Sequence, residues 1–122
     1  MKIKDGVKLD LIKPEILTQL PWVDALIRLY FDKVLVITEV NDTINRKKTS
    51  LHHTGYAMDI RINHIKDDPK FMIFFDILYN TFKGISKYYD IVLQSDHIHI
   101  EFDIYRRQED EKIHYRLLIQ YY

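Results

Sequence analysis

The sequence predicts an α+β fold, a small and mainly antiparallel sheet with helices packed on it. Three observations predict it. Apolar residues recur at the helical spacing of three to four in two separate stretches. They alternate with polar residues in several short stretches, the period of a half-buried strand. The order of these stretches is helix, strand, loop, strand, helix and then three strands, which does not alternate as a doubly wound sheet would. No Ser/Gly-rich linker, low-complexity run or repeat interrupts the 122 residues, so a single domain over 1–122 is expected.

Residues 14–31 read as helix through Ile16, Leu20, Val23, Ile27 and Tyr30. Pro21 interrupts the pattern, either kinking the helix or starting a second one in its first turn. Val34 to Thr38 is a β-branched run and reads as a buried strand. Residues 41–50 are polar and turn-rich, a loop. From Tyr56 to Ile62 the chain alternates: Tyr56, Met58, Ile60 and Ile62 fall on one face, Ala57, Asp59 and Arg61 on the other. Asp68-Pro69 is a helix start, with Phe71, Phe74, Phe75, Leu78 and Phe82 as its apolar stripe and Gly84 placed to end it. Tyr89 to Leu93 and His97 to Phe102 are strands. Residues 106–111 make a polar turn, and Lys112 to Tyr122 closes the chain as a last strand antiparallel to 97–105.

Composition narrows the function. Lys and Arg number 18, as do Asp and Glu, so no basic excess calls for nucleic acid. Zero Cys excludes disulfides, thiolate zinc sites and a Cys nucleophile, which leaves His, Asp and Glu to hold any metal. Apolar runs fall far short of the roughly 20 residues that span a membrane. The charged N-terminus, Met1 to Lys8, has no apolar core of a secretory signal. The expectation is a monomer made in the cytoplasm, with another route needed for any action outside the cell.

Four of the six His lie in two clusters, His52/His53 and His97/His99. In the first, His52 stands at the entrance of the strand that carries Asp59. Gly55 permits a close backbone approach, and Ala57 leaves room. A His nitrogen and a carboxylate oxygen converging on one point are zinc ligands. In the second, His97, His99 and Glu101 share one strand face, so one imidazole can bind a metal while the other acts on water beside it. Two His and one Asp leave a fourth position open, as a catalytic zinc site requires. His53, His64 and His114 read as surface residues.

The pattern Ser50-x-His52-x-x-Gly55-x-Ala57-x-Asp59, followed by His97-x-His99, resembles the zinc peptidases of the D-alanyl-D-alanine carboxypeptidase and dipeptidase type. These share a core with murein endopeptidases, lysostaphin-type enzymes, phage L-alanyl-D-glutamate endopeptidases and the Hedgehog domain. The resemblance covers residues 34–102 in motif order. It implies that fold, zinc as cofactor, and His52, Asp59 and His99 as ligands. It implies His97 as the catalytic histidine, with Asp96 a second candidate base where one branch has Glu-x-x-His. The implied substrate is a peptidoglycan stem peptide, cut by a diffusible hydrolase such as a phage or prophage endolysin released to the wall. Many relatives carry a Ser-Gly-Tyr-Arg-like segment after the first strand, whose Arg faces the substrate. Here Thr38-Glu39-Val40-Asn41-Asp42 stands in its place, and Arg46 and Lys47 follow in the loop as candidates for that charge, with Ser50 a further substrate-facing candidate. The alternative expectation is a non-catalytic zinc-containing module that binds wall peptide or a protein partner.

Overall fold

The computed structural model describes residues 1–8, 12–40 and 56–103. The loop over 41–50, the turn over 106–111 and the strand expected from Lys112 lie outside the described residues, as do His52, His53, Ser50, Arg46 and His114. The described elements run β1 (Lys2–Ile3), α1 (Pro14–Leu17), α2 (Leu20–Phe31), β2 (Val36–Val40), β3 (Ala57–Arg61), α3 (Phe71–Ile85), β4 (Tyr89–Leu93) and β5 (His97–Phe102). The molecule is α+β, and the five described strands form one mixed sheet in the order β1-β2-β3-β5-β4. Among the described strands only β1, absent from the sequence reading, pairs in parallel; the β2–β3, β3–β5 and β5–β4 pairs are antiparallel. Strands β3 and β4 thus run parallel with β5 between them and α3 as their crossover, a split β-α-β unit.

Pro21 resolves in favour of two helices. It sits in the first turn of α2, where its missing N–H costs nothing, and α1 is a single turn begun by Pro14. Asp32 ends α2 in the left-handed region at φ 53°, its amide donating to the Arg28 carbonyl. Asp tolerates that conformation better than most side chains.

Three sequence boundaries are corrected. The strand expected at 34–38 lies at Val36–Val40. Helix α3 begins at Phe71 rather than beside Pro69, because the Asp68 carboxylate accepts the Lys70 amide at 2.8 Å and holds a tight turn first. Gly84 does not end α3; the helix runs through it to Ile85 and stops where Ser86 turns extended. His64 is also not a free surface residue. Its Nε2 lies 3.0 Å from the Val34 carbonyl and ties the turn after β3 to the approach of β2.

The core lies on one face of the sheet. Met58, Ile60, Ile98, Ile100, Ile91 and Leu93 pack there against Ile16, Val23 and Ile27 from α1 and α2 and the Phe stripe of α3. Tilted and edge-on aromatic contacts run from helices to sheet: Trp22 to Phe82 at 4.8 Å, Phe82 to Tyr89 at 5.0 Å, and Tyr89 to Phe102 at 5.0 Å between ring centroids. Alternation along each strand then sends the intervening polar residues to the opposite face.

Candidate metal centre

That opposite face carries the site. Antiparallel pairing sets Asp59 of β3 directly beside His99 of β5, and Val92 of β4 on the other side of His99. One step along, Ala57, Glu101 and Asp90 form a second row; one step the other way, Arg61 faces His97. Residues opposed in a ladder share a face, so backbone register alone gathers these side chains.

Asp59 is the hub. Its residue is only 6% exposed. The Nδ1 of His99 lies 2.9 Å from its Oδ1, and the Nε2 of His97 lies 3.7 Å from its Oδ2. Each imidazole meets a further carboxylate on its far side: Asp96 Oδ1 is 2.6 Å from His97 Nδ1, and Glu101 Oε1 is 3.5 Å from His99 Nε2. Carboxylates and imidazoles therefore alternate from Asp96 to Glu101.

Charge follows geometry. Burial pushes the His99 imidazole down, but hydrogen bonds to Asp59 and Glu101 and their negative charge outweigh it and raise the group to about 9. A metal taking a nitrogen of His99 must displace that proton. Asp96 is held below the usual carboxylate range, chiefly by its hydrogen bond with His97. Its place is fixed by the three-residue connection between β4 and β5. The Gln94 amide donates to the His97 carbonyl, and the Asp96 carbonyl accepts the Ile62 amide at the end of β3.

Asp59 and His99 supply two donors of the types that zinc takes. Two ligands of one tetrahedral zinc, each ~2.0–2.1 Å from it, lie about 3.3–3.4 Å apart. The Nδ1–Oδ1 pair at 2.9 Å needs to open by only a few tenths of an ångström. Among the described residues no group of three or more His, Cys, Asp or Glu is arranged to hold a metal ion. The described part thus brings together two of the three expected ligands, Asp59 and His99, and both base candidates, His97 and Asp96.

Two carboxylates on this face were missed from the sequence. Asp90 is 1% exposed in the middle of an apolar strand, and a buried polar residue is itself a signal. Glu39 reaches the face through a bulge. Ile37 pairs with Ile60 and Glu39 with Asp59, so Thr38 is the extra residue, and Val40 returns to the core. The continuous apolar run over 34–37 hides any period of two, so no local signal marks the bulge.

Among the described residues, no helix is long and apolar enough to cross a membrane. Comparison with family models, curated proteins and solved structures finds no match to the chain.

Proposed function

We propose that the chain is a zinc-dependent peptidase of the D-alanyl-D-alanine peptidase and Hedgehog fold type. In this reading it cleaves a peptide bond in the stem peptides of bacterial peptidoglycan, as a D-Ala-D-Ala carboxypeptidase or L-Ala-D-Glu endopeptidase acting on the wall after release. One observation carries it: Asp59 and His99 meet at hydrogen-bond distance across adjacent strands, with the second imidazole of the His-x-His pair turned to the same carboxylate. His52 would complete the ligand set from the segment ahead of β3. When bound, zinc acidifies water and polarises a carbonyl.

The two base candidates take different roles. With the Nδ1–H of His97 donated to Asp96, the lone pair of Nε2 faces the Asp59 hub. His97 then takes a proton from the attacking water and delivers it to the departing amine. Asp96 holds the ring, a positioning role, because its own carboxylate lies on the far side of that ring. Ser50 and Arg46 remain the proposed substrate contacts.

The second reading, a zinc-containing module that binds wall peptide or a protein partner without cutting, is favoured by Glu39. A carboxylate stands in register with Asp59 near where relatives present an Arg to the substrate. One experiment separates the two. Purified peptidoglycan is incubated with the protein, with and without chelator, and with His97→Ala and Asp96→Ala. The peptidase releases new amino termini, and chelation stops it. Stoichiometric zinc with no product leaves the binding module.

A further inference from the structure

We propose that Arg61 is the specificity-determining residue of this face: its guanidinium takes a free α-carboxylate on the substrate residue that carries the departing amine. This rests on the peptidase reading and narrows its substrate, and Arg61 belongs to neither the motif nor the ligand set.

Register places the guanidinium. Arg61 ends β3 two residues beyond Asp59, on the same face, and is the exposed residue of a strand that is otherwise buried. It stands directly opposite His97 of β5. One step on, the Ile62 amide donates to the Asp96 carbonyl. Arg61 and His97 are therefore a non-hydrogen-bonded pair, whose Cα atoms lie about 4.5 Å apart and whose side chains run close. The carboxylates nearby are engaged elsewhere: Asp96 with His97, Asp59 with both imidazoles, Glu101 with His99. Among the described residues no carboxylate pairs with Arg61. A guanidinium is always charged, and its fork binds a carboxylate through two parallel hydrogen bonds. His97 delivers its proton to the departing amine, so the residue bearing that amine lies over this pair. Its α-carboxylate hangs from the same carbon as the amine, within reach of the neighbouring side chain. Both candidate substrates present that group. A C-terminal D-Ala ends in it, and a D-Glu linked onward through its γ-carboxyl keeps it free. A residue linked onward through its α-carboxyl has an amide there and offers the fork no charge.

The test pairs each substrate with its amide. The intact chain, supplied with zinc, is given an acyl-D-Ala-D-Ala peptide and an L-Ala-D-Glu peptide continued through the γ-carboxyl. Each carries its α-carboxylate either free or as the carboxamide, and kcat/KM is measured from new amino termini. The peptide that is cut identifies the source of the carboxylate. Wild type is expected to favour the free carboxylate about 10- to 100-fold, carried in KM. Arg61→Gln is expected to cut the two forms at equal kcat/KM, with zinc affinity unaltered. Arg61→Lys, which keeps the charge but not the fork, is expected to retain part of the preference. A preference that survives Arg61→Gln overturns the inference and leaves the peptidase standing. A wild-type preference below twofold does the same, whether or not a variant folds. Cleavage of neither peptide overturns the inference, and with no product from purified peptidoglycan the peptidase reading falls too.

Discussion

Asp59 is a carboxylate almost removed from water, and such a group persists only where partners satisfy it. Two imidazoles do so here, and they are not equivalent. His99 is close enough to share a hydrogen bond; His97 stands back at 3.7 Å, which leaves a gap beside its Nε2. In the proposed reading that difference assigns His99 as the ligand and His97 as the base. The prediction is a graded loss. His97→Ala should lower turnover on peptidoglycan by about 10²- to 10⁴-fold. Asp96→Asn should cost about tenfold, since an exposed partner orients the base and is screened by solvent. Asp96 is 65% exposed at its side chain. Neither change should alter zinc affinity, measured by dye competition. A larger loss in Asp96→Asn than in His97→Ala would reverse the two roles.

At the scale of elements, the join between α2 and β2 sets where the sheet begins. Asp24 of α2 accepts the Leu35 amide just ahead of β2 at 2.9 Å and pairs with Arg28 one turn on at 3.0 Å. Burial alone would raise its carboxyl, but the Leu35 amide and the Arg28 guanidinium outweigh burial and hold it below 3.8. A carboxylate depressed in the folded state contributes stability that is complete above its unfolded value and lost as pH falls through its folded one. Asp24→Asn should therefore cost about 1–2 kcal/mol at pH 7. Its urea midpoint should converge with that of wild type well below pH 3.8, and a gap that persists in acid would place the effect elsewhere. This join also marks what the sequence could tell. Elements with one period and a clear stop were legible: β4 and β5 fall where they were expected, and parity put Asp59 opposite the apolar face of its strand and His97 with His99 opposite the apolar face of theirs. The boundaries that moved were decided by local hydrogen bonds. The Asp68 side chain delayed α3, and with no demand for positive φ at Gly84 the helix could continue. The bulge at Thr38 and the two-residue β1 depend on partners far along the chain, which no window of sequence contains.

For the molecule as a whole, the zinc reading raises the question of whether the ion would make the fold or only strengthen it. Asp59 and His99 are forty residues apart yet already adjacent, because β3 and β5 pair over five residues each and their other faces join a core fed by three helices. A small zinc finger has no such core and unfolds without metal. Here fully buried Phe74, Phe75, Phe82, Ile60 and Ile98 would each contribute on the order of 2 kcal/mol by burial, set against the entropy of ordering the chain. The metal should thus add an increment. Zinc in hundredfold excess over its dissociation constant stabilises a folded state by about 2.7 kcal/mol. For a chain of this length that corresponds to a rise in Tm of roughly 10 °C. The chelated protein is expected to keep its far-ultraviolet circular dichroism at 25 °C and to melt cooperatively, with the higher Tm restored on adding zinc. Asp59→Asn and His52→Ala should each abolish the zinc-dependent rise. Unfolding on chelation would mean that the sheet depends on the ion. A rise that survives Asp59→Asn would place the zinc away from the β3–β5 face.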